Sequence, residues 1–466
     1  MIYEGKRATI LGLGREGTAL ARFLARQGAK VTVTDIKEES KLKETMEDLA
    51  GLPIRYLLGG HPDEALEADV VFVSPGVPRE IPILATARRR GIELSSETRL
   101  FFALCPAPII GITGSSGKTT TTSLVGEIML AHGHRTYVGG NIGSPLLGIV
   151  EQIEPEDCVV MELSSFQLEA LDQSPHVAAV LNVSPNHLDR HQTMDEYVAA
   201  KTNILKYQTD VDWAILNADQ EATRSLAELC KGQVAFFGHS QPVEQGAYLQ
   251  GDEIMVRWQD QRHPVCQVSE IQLLGPHNLD NVLAACAIAA AAGATAQTMG
   301  AAVTTFRGVE HRLELVGEIN GASYFDDSIA TSPDRTIAAL GCFAQPVILL
   351  AGGREKHLPL EALARIIAER VKALVLFGEA APVLEEAVRH ASSDTPGREL
   401  PIYLSSDLRE AVHRAARMAE HGDVVLLSPA FTSFDMYSDF AQRGEHFKSL
   451  VREMMLSLEH LAGDER

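Results

Sequence analysis

The segment IIGITGSSGKTT, residues 109–120, joins an apolar stretch to a turn of glycine and serine, followed by a lysine and two threonines. The apolar residues predict a β-strand, and the residues after the turn predict a helix. Glycines let the backbone N–H groups of the turn point inward, and the helix N-terminus adds the positive end of its dipole. Lys118 can then reach terminal phosphates, and the Thr119 hydroxyl can bind Mg²⁺. The segment therefore predicts a site for a nucleoside triphosphate and Mg²⁺.

This phosphate loop, residues 113–120, is a variant of the usual pattern. The pattern G-x-x-x-x-G-K-[ST] would need a glycine where this chain has Ile112. An ordinary strand–turn–helix corner is the alternative, but a lysine and two threonines directly after a glycine-rich turn are costly choices for a turn alone. The residues that we expect to contact the nucleotide here are Gly114, Ser115, Ser116, Gly117, Lys118, Thr119 and Thr120.

Length, charge and cysteine content narrow the class of protein. A chain of 466 residues is long enough for about three domains. The formal net charge of −21 argues against a nucleic-acid partner, because such proteins need a basic face. Six cysteines without C-x-x-C spacing fit buried thiols in a reducing compartment better than disulfides or zinc ligands. Without a signal-like N-terminus or a long apolar run, we expect a cytoplasmic protein that has no membrane partner.

The N-terminal region carries a second glycine motif. GLGREG, residues 12–17, lies between a predicted strand and a predicted helix, and Asp35 ends the next strand. This arrangement is typical of dinucleotide sites, but the same βαβ fold binds many other ligands. Further along, SPGVP, residues 74–78, follows a third strand. It is either a structural turn or part of a ligand site at the sheet edge.

The central region has three further candidates. Glu162 ends a buried strand, where a carboxylate can contact Mg²⁺ or cap a helix. His187 lies in a loop rich in histidine, aspartate and arginine, which is either a catalytic, Mg²⁺-facing loop or a solvated turn. Lys201 lies in a helix predicted for residues 193–207, and the residues alone do not distinguish it from Lys206.

The last third of the chain begins with an alanine-rich helix. Asn278 and Asn281 share one face of it, suitable for a purine edge or for capping. Near Phe306 the composition changes, and strands alternate with helices again. These strands end in glycine, serine, aspartate or proline, as in an open parallel sheet. Residues 434–461 form an amphipathic helical tail.

Together these motifs resemble the Mur ligases, the ATP-dependent amide-forming enzymes of peptidoglycan precursor synthesis. The resemblance covers nearly the whole chain, and several of its motifs are shared with folylpolyglutamate synthetases. The run ELSSFQLE, residues 162–169, and the stretch 434–444 are similar to the members that add D-glutamate to UDP-N-acetylmuramoyl-L-alanine. The matching segments are residues 12–14 with Asp35, 74–76, 113–120, 140–143, 162–169, 186–190, Lys201, 277–278, 311–312, 327–328, 352–353 and 428–447.

The resemblance implies an α/β fold with three domains. We expect a Rossmann-like domain at residues 1–96 that binds the UDP substrate, and a central P-loop-type ATPase domain at 97–309. A Rossmann-like α/β domain at 310–466 would bind the amino acid and nucleotide. The protein would be a monomer that works in cell-wall growth, cell shape and division.

The resemblance also implies roles for matching residues. Lys118, Glu162, His187 and Lys201 would be catalytic, with ATP and two Mg²⁺ sites as cofactors. The metal ligands would be Thr119, Glu162, His187 and a carbamylated Lys201. Further nucleotide contacts would be Asn278, Asn281, Arg312 and Asp327. Substrate contacts would be Asp35, Gly76, Asn141, Ser164, Gln167 and His187 for the UDP-sugar, and Thr331, Lys356, Ser433 and Phe440 for the amino acid.

The chain departs from the family pattern at two positions. Ile329 stands where family members often carry lysine, so no lysine role is placed there. Asn186 stands where the family commonly has aspartate before the histidine, which leaves any acidic neighbour of His187 in question. The other candidate functions are a sister Mur ligase or polyglutamate synthetase, a nicotinamide-dependent dehydrogenase and a non-catalytic nucleotide switch.

Overall fold

The computed structural model describes residues 3–184, 193–275, 277–393 and 400–464. The chain divides into two compact units. The first unit comprises Met1–Ile271 and His277–Phe306, and the second comprises Gln272–Pro276 and Arg307–Arg466. Three sheets organise the chain: the first unit contains two and the second contains one.

The first sheet is parallel throughout. Its strands are β1 (Arg7–Leu11), β2 (Lys30–Asp35), β3 (Ile54–Leu58), β4 (Val70–Val73) and β5 (Glu93–Ser95). They lie in the order β3-β2-β1-β4-β5. After β3 the chain crosses to the other side of β1, so the order in which strands are added reverses there. Ligands bind at such a reversal in open α/β sheets. The helices of this part are α1 (Arg15–Arg26), α2 (Lys43–Glu47) and α3 (Pro82–Arg89), and α4 (Glu97–Leu104) leads into the second sheet.

The second sheet has nine strands. They are β6 (Ile109–Thr113), β7 (Thr136–Gly140), β8 (Cys158–Glu162), β9 (Val177–Val180), β10 (Trp213–Asn217), β11 (Gln233–Gly238), β12 (Gly246–Gln250), β13 (Glu253–Trp258) and β14 (Gln261–Gln267). The order is β14-β13-β12-β11-β10-β9-β6-β8-β7. Seven strands are parallel, and β13 and β14 add an antiparallel edge. The helices are α5 (Lys118–Ala131), α6 (Ser165–Leu168), α7 (Met194–Thr202), α8 (Glu221–Arg224), α9 (His277–Ala291) and α10 (Ala296–Thr305).

The second unit contains a six-stranded sheet. Its strands are β15 (Glu314–Ile319), β16 (Ala322–Asp326), β17 (Val347–Gly352), β18 (Val371–Phe377), β19 (Ile402–Leu404) and β20 (Val424–Ala430). In the order β15-β16-β20-β17-β18-β19, only the β15–β16 pairing of this described sheet is antiparallel. The helices are α11 (Pro333–Leu340), α12 (Glu361–Arg370), α13 (Ala381–Ser393), α14 (Leu408–Met418) and α15 (Phe440–Asp464).

The α/β fold class is confirmed, with corrections at two predicted helices. The helix predicted for residues 193–207 ends at Thr202, and turns follow. The tail helix begins at Phe440, since residues 434–439 form turns and bends. The core lies around the central strands, because every residue of β6, β8, β9 and β17 is buried. The domain boundaries near residues 96 and 309 stay predictions.

Two further features bear on the sequence predictions. All six cysteines are unpaired thiols, but only Cys158, Cys266 and Cys286 are buried as predicted, whereas Cys105, Cys230 and Cys342 are partly exposed. Among the described residues, no helix has the length and apolar character that spanning a bilayer requires.

Candidate active site

The phosphate loop lies between the buried strand β6 and the N-terminus of α5. Gly117 adopts a left-handed backbone with φ of +78°, and Lys118 begins the helix. A Cβ atom at position 117 would overlap the Oδ1 atom of Asn281 on α9. Glycine is therefore required here both for the turn and for the close approach of α9.

Two residues that the sequence reasoning did not select shape this loop. Asn182, just after β9, accepts a hydrogen bond from Ser116 N at 2.8 Å and donates to the Ser116 carbonyl at 3.1 Å. The hydroxyl of Ser115 lies 3.1 Å from the hydroxyl of Tyr197 and donates to the carbonyl of Ser184. Asn182 could have been found, because β9 is the neighbour of β6 and its end reaches the same sheet edge.

Two lysines meet at one carbonyl of the loop. The ammonium groups of Lys118 and Lys201 donate to the Gly114 carbonyl at 2.9 and 2.8 Å. Lys201 is only 2% exposed, and its Nζ lies 4.6 Å from the centre of the Tyr197 ring. Burial, with the Lys118 charge as a smaller cause, lowers the pKa of Lys201 to about 7. Lys206 is exposed to solvent.

The residues around Glu162 can hold a divalent cation. The Thr119 hydroxyl lies 2.8 Å from Oε2 of Glu162, and the Asn141 amide donates to Oε1 at 2.8 Å. Neighbouring ligands of an octahedral Mg²⁺ at 2.0–2.1 Å are about 2.9 Å apart. The Thr119 and Glu162 oxygens therefore have the spacing and the hard oxygen chemistry that Mg²⁺ requires, and Asn141 fixes the carboxylate.

The two asparagines of α9 face the phosphate-loop helix α5. Asn281 donates to Asn278 Oδ1 at 2.8 Å, and its own Oδ1 accepts from the Thr121 hydroxyl at 3.4 Å. Both side chains are buried. His187, by contrast, lies outside the described residues, as does Asn186.

At the first sheet, the glycine motif of residues 12–17 forms a tight turn, here called the glycine turn. Asp35 accepts hydrogen bonds from Leu13 N at 2.8 Å and Lys37 N at 2.9 Å. The Ser74 hydroxyl donates to the Gly12 carbonyl at 2.8 Å, which holds the 74–78 turn beside it. Gly76 is exposed in that turn. The structure therefore brings Asp35 and the turn that contains Gly76 to one edge of the sheet.

Ser164 and Gln167 form the N-terminal cap of α6. The Gln167 Oε1 accepts from Ser164 N and from its hydroxyl, and the Ser164 hydroxyl accepts from Gln167 N. The Gln167 Nε2 donates to Oε1 of Glu16, the second residue of α1, at 2.8 Å. Ser164 and Gln167 therefore lie on a segment that contacts α1. Asn141 contacts Glu162, which stands at the start of that segment.

In the second unit, Asp327 and Arg312 lie near a buried histidine. Asp327 accepts from the Ser428 hydroxyl at 2.7 Å, and burial raises its pKa to about 7 against the opposing effects of Ser428 and Arg312. His311 has a φ of +61°, is buried, and lies 2.7 Å from Oδ2 of Asp326. His311 lies in the matching segment 311–312, but the sequence predicts no role for it. Adjacency to Arg312 was its only signal.

The four predicted amino-acid contacts all belong to the second unit. Lys356 donates to the carbonyl and hydroxyl of Thr331 at 3.2 and 3.4 Å. The Phe440 carbonyl accepts from the Ser328 hydroxyl at 2.7 Å, and Ser433 is buried in the turn before α15. Lys356 and Thr331 are thus in direct contact. Ile329 donates its N–H to the His311 carbonyl.

A glycine turn, a phosphate loop and a carboxylate at the end of a neighbouring strand define a nucleotide-binding α/β protein. Family models match three consecutive segments: "Mur ligase MurD-like, N-terminal domain" at residues 6–96, "Mur ligase middle domain" at 112–289, and "Mur ligase, glutamate ligase domain" at 311–431. The chain belongs to the Mur ligase family.

Two relatives with high sequence identity indicate the member of the family that this chain resembles. The chain is 45% identical over 453 residues to the UDP-N-acetylmuramoylalanine--D-glutamate ligase of Acetivibrio thermocellus, covering 97% of both chains. The enzyme of that name in Symbiobacterium thermophilum is also 45% identical, with 96% of this chain and 98% of the relative covered.

Solved structures show the same fold at lower identity. The UDP-N-acetylmuramate-alanine ligase MurC of Thermotoga maritima has a TM-score of 0.60 at 18% identity, with 96% of this chain and 99% of that chain covered. MurF of Acinetobacter baumannii has a TM-score of 0.57 at 18% identity, covering 93% and 86%.

Proposed function

We propose that this protein is an ATP-dependent, ADP-forming ligase that joins D-glutamate to UDP-N-acetylmuramoyl-L-alanine. The reaction belongs to peptidoglycan precursor synthesis, and we place it in the cytoplasm with the protein acting as a monomer. The name and 45% identity of the two relatives support the choice of substrates. The observation that carries the proposal is the arrangement of Lys118, Thr119, Glu162 and Lys201 around one phosphate loop.

The loop provides what phosphoryl transfer requires. Backbone N–H groups and the Lys118 ammonium would hold the β- and γ-phosphates of ATP. Thr119 and Glu162 would hold one Mg²⁺, which neutralises phosphate charge when bound. Asn278 and Asn281 would contact the nucleotide from α9, and Arg312 and Asp327 would do so from the second unit.

The second metal site would use His187 and a carbamylated Lys201. Carbamylation requires a neutral amine, and burial lowers the pKa of Lys201 to about 7. The carbamate would replace an ammonium by oxygen atoms, the ligands that Mg²⁺ prefers.

The chemistry needs an activated carboxylate. A carboxylate oxygen of the alanyl group attacks the γ-phosphorus of ATP; the bond to the bridging oxygen breaks, and ADP leaves with the electron pair. The amine of glutamate then attacks the acyl phosphate, loses a proton, and displaces inorganic phosphate. The protein's part is to position the reactants and neutralise charge.

The two organic substrates would contact different parts of the chain. Asp35, Gly76, Asn141, Ser164 and Gln167, with His187, would bind the UDP-sugar. In the second unit, the Lys356 ammonium and the Thr331 and Ser433 hydroxyls would receive the carboxylates of glutamate, beside Phe440.

Phosphate release from ATP tests the proposal. Each candidate amino acid is added in turn to the protein, Mg-ATP and UDP-N-acetylmuramoyl-L-alanine. We expect release that requires both the acceptor and D-glutamate, that is lost in Lys118→Ala, and that persists in Lys206→Ala, a lysine exposed on the protein surface.

The other outcomes are also informative. Release driven by a different amino acid would make the protein a sister ligase or a polyglutamate synthetase with the same mechanism. Slow ATP hydrolysis that ignores every acceptor would contradict the ligase proposal.

A further inference from the structure

Two of the three variable positions of the glycine turn connect the two sheets of the first unit. In the motif G-L-G-R-E-G these positions are Arg15 and Glu16. The Arg15 guanidinium donates to the Gly143 carbonyl at 2.7 Å, and the Glu16 carboxylate accepts from Gln167. The segments contacted, residues 140–143 and 162–167, hold the residues that we propose to bind the UDP-sugar. The first turn of α1 is therefore tied to both segments.

The Glu16–Gln167 contact is shielded from water. Glu16 is 8% exposed and Gln167 is 2% exposed, and the two heavy atoms lie 2.8 Å apart. Because Gln167 Oε1 faces two donors on Ser164 and Nε2 faces the carboxylate, the amide has one orientation that satisfies all three contacts. Glu16 thus fixes the direction of the amide, and the amide in turn holds Ser164.

A buried carboxyl group at this position destabilises the folded state if it only fills space. Its Oε2 atom is buried without a hydrogen-bond partner. The neighbouring Glu97, at the start of α4, is also buried, and burial together with the negative charge of Glu16 raises its pKa to about 8. Burying a polar atom without a partner destabilises the fold. The benefit that offsets this cost must therefore come from the contact that Glu16 makes through Oε1.

We propose that Glu16 is a positioning residue for the acceptor substrate, acting through Gln167 and Ser164. The proposal rests on the proposed function, because it takes residues 164 and 167 to face the UDP-sugar. Glu16 makes the segment 162–167 keep one position relative to the glycine turn, so that both can contact one bound acceptor. Within the described part of the chain Glu16 makes no hydrogen bond to the phosphate loop, so we expect ATP binding not to depend on it.

Steady-state kinetics of the full-length protein test this role. We expect Glu16→Ala to raise KM for UDP-N-acetylmuramoyl-L-alanine about tenfold, the effect of losing one buried hydrogen bond to a charged group. KM for ATP and D-glutamate, and kcat, should change less than about twofold. Glu16→Gln keeps an oxygen acceptor for Gln167 Nε2 and should stay close to wild type. A purely structural role would move all the constants together.

A matched control removes another contact between the same two sheets. Gln27, which follows α1, donates to Oε1 of Glu151 at 2.7 Å, and neither residue is among the proposed substrate contacts. Gln27→Ala should leave the acceptor KM within about twofold of wild type. Thermal unfolding of every variant shows whether a kinetic change reflects loss of fold.

A charge swap tests the contact even if Glu16→Ala fails to fold. Gln167→Glu alone places two carboxylates face to face and should raise the acceptor KM more than tenfold. Adding Glu16→Gln reverses donor and acceptor while retaining both Ser164 contacts. The double variant should therefore recover most of the loss.

The results separate two kinds of failure. If wild type shows no acceptor-dependent phosphate release, the proposed function is wrong. If wild type is active but Glu16→Ala leaves the acceptor KM unchanged, or the double variant is no better than Gln167→Glu, the positioning role is wrong.

Discussion

Lys201 and Lys206 lie in one predicted helix, and the structure separates them by burial where the residues alone did not. Lys201 packs under the phosphate loop with its ammonium against the Gly114 carbonyl, whereas Lys206 lies beyond the end of α7 and is exposed. The difference changes their chemistry. With a pKa of about 7, the buried amine of Lys201 is neutral in a large fraction of molecules at neutral pH, and a neutral amine can react with carbon dioxide.

We therefore predict that Lys201 is the lysine that becomes carbamylated. Protein equilibrated with ¹³C-labelled bicarbonate should give a carbamate signal in ¹³C NMR spectra. The signal should disappear in Lys201→Arg, because a guanidinium does not form this adduct. It should remain in Lys206→Arg, and equal loss in both variants would contradict the assignment.

The sequence indicates which side chains lie together where a motif fixes the neighbouring elements, and it does not do so elsewhere. The Thr119–Glu162 contact joins the start of α5, the helix that follows β6, to the end of the neighbouring strand β8, and an open parallel sheet brings these two ends to one edge. Tyr197, by contrast, acts on the loop through one hydroxyl contact, with Ser115, across a long sequence separation. No periodicity or composition reports such contacts, because they depend on side-chain direction in the finished fold.

At the scale of elements, the phosphate loop depends on a glycine that two constraints select. Gly117→Ala should abolish most ATP-dependent activity, with a loss of at least about 100-fold. An alanine there would adopt a left-handed backbone at a cost of about 1–2 kcal/mol, and its Cβ would also displace Asn281. Phosphate release measures the loss.

Gly148→Ala is the matched control, because a Cβ at position 148 would meet no atom within 4 Å. Its activity should remain within about twofold of wild type. If Gly117→Ala were equally active, the loop geometry would not limit phosphate binding.

The helix α15 carries a buried arginine, Arg443, that contacts the ends of three strands. Arg443 is fully buried, and its guanidinium donates to the Ser328 hydroxyl and to the carbonyls of Ser328, Gly352 and Phe431. Burial lowers its pKa to about 10. These groups follow or end β16, β17 and β20, so one side chain ties three strand ends together.

We predict that Arg443→Lys destabilises the second unit by about 3 kcal/mol, because an ammonium cannot make the forked set of hydrogen bonds. Urea denaturation would measure the change. Arg452→Lys, at an exposed position of the same helix, should change stability by less than about 0.5 kcal/mol. A loss of similar size in both variants would mean that helix propensity, not the buried contacts, sets the effect.

Element types were predictable where a strand is a short apolar run, as in β1, β4, β6 and β17. Element ends were less so. The tail helix was expected from residue 434 but begins at Phe440, since Asp439 caps its first turn by accepting from Gln442 N. The antiparallel strand β15 was missed because its residues alternate weakly between buried and exposed positions.

At the scale of the whole molecule, buried carboxyl groups make stability depend on pH. Burial, helped by the Glu16 charge, raises the pKa of Glu97 to about 8, and burial raises that of Glu16 to about 6 and that of Asp327 to about 7. At a pH between its ordinary pKa and its raised pKa, such a carboxyl group holds a proton in the folded chain and releases it on unfolding. The folded state then binds more protons than the unfolded state, so stability falls as pH rises.

Among these three carboxyl groups, Glu97 changes stability over the widest pH range, because its pKa is raised the most. Its contribution is favourable near and below its ordinary pKa of about 4.5, falls as pH rises, and is fully lost above about 8. Lys201 acts in the opposite sense, because its lowered pKa makes the folded state bind fewer protons than the unfolded state between about 7 and 10.5. A difference between two variants removes this opposing contribution, since Lys201 is common to both.

We therefore predict that Glu97→Gln stabilises the protein relative to wild type by an amount that grows with pH. A neutral amide can still accept the hydrogen bond from the Leu147 N–H but has no charge to bury. The difference should be small at pH 5.5 and roughly 2–4 kcal/mol at pH 8.5, measured as a rise in Tm of several degrees. Glu127→Gln, an exposed change on α5, should show no such growth. If the Glu97→Gln difference were constant across this range, the Glu97 carboxyl would already be ionised in the folded protein, and its burial between the two sheets would carry no linked proton.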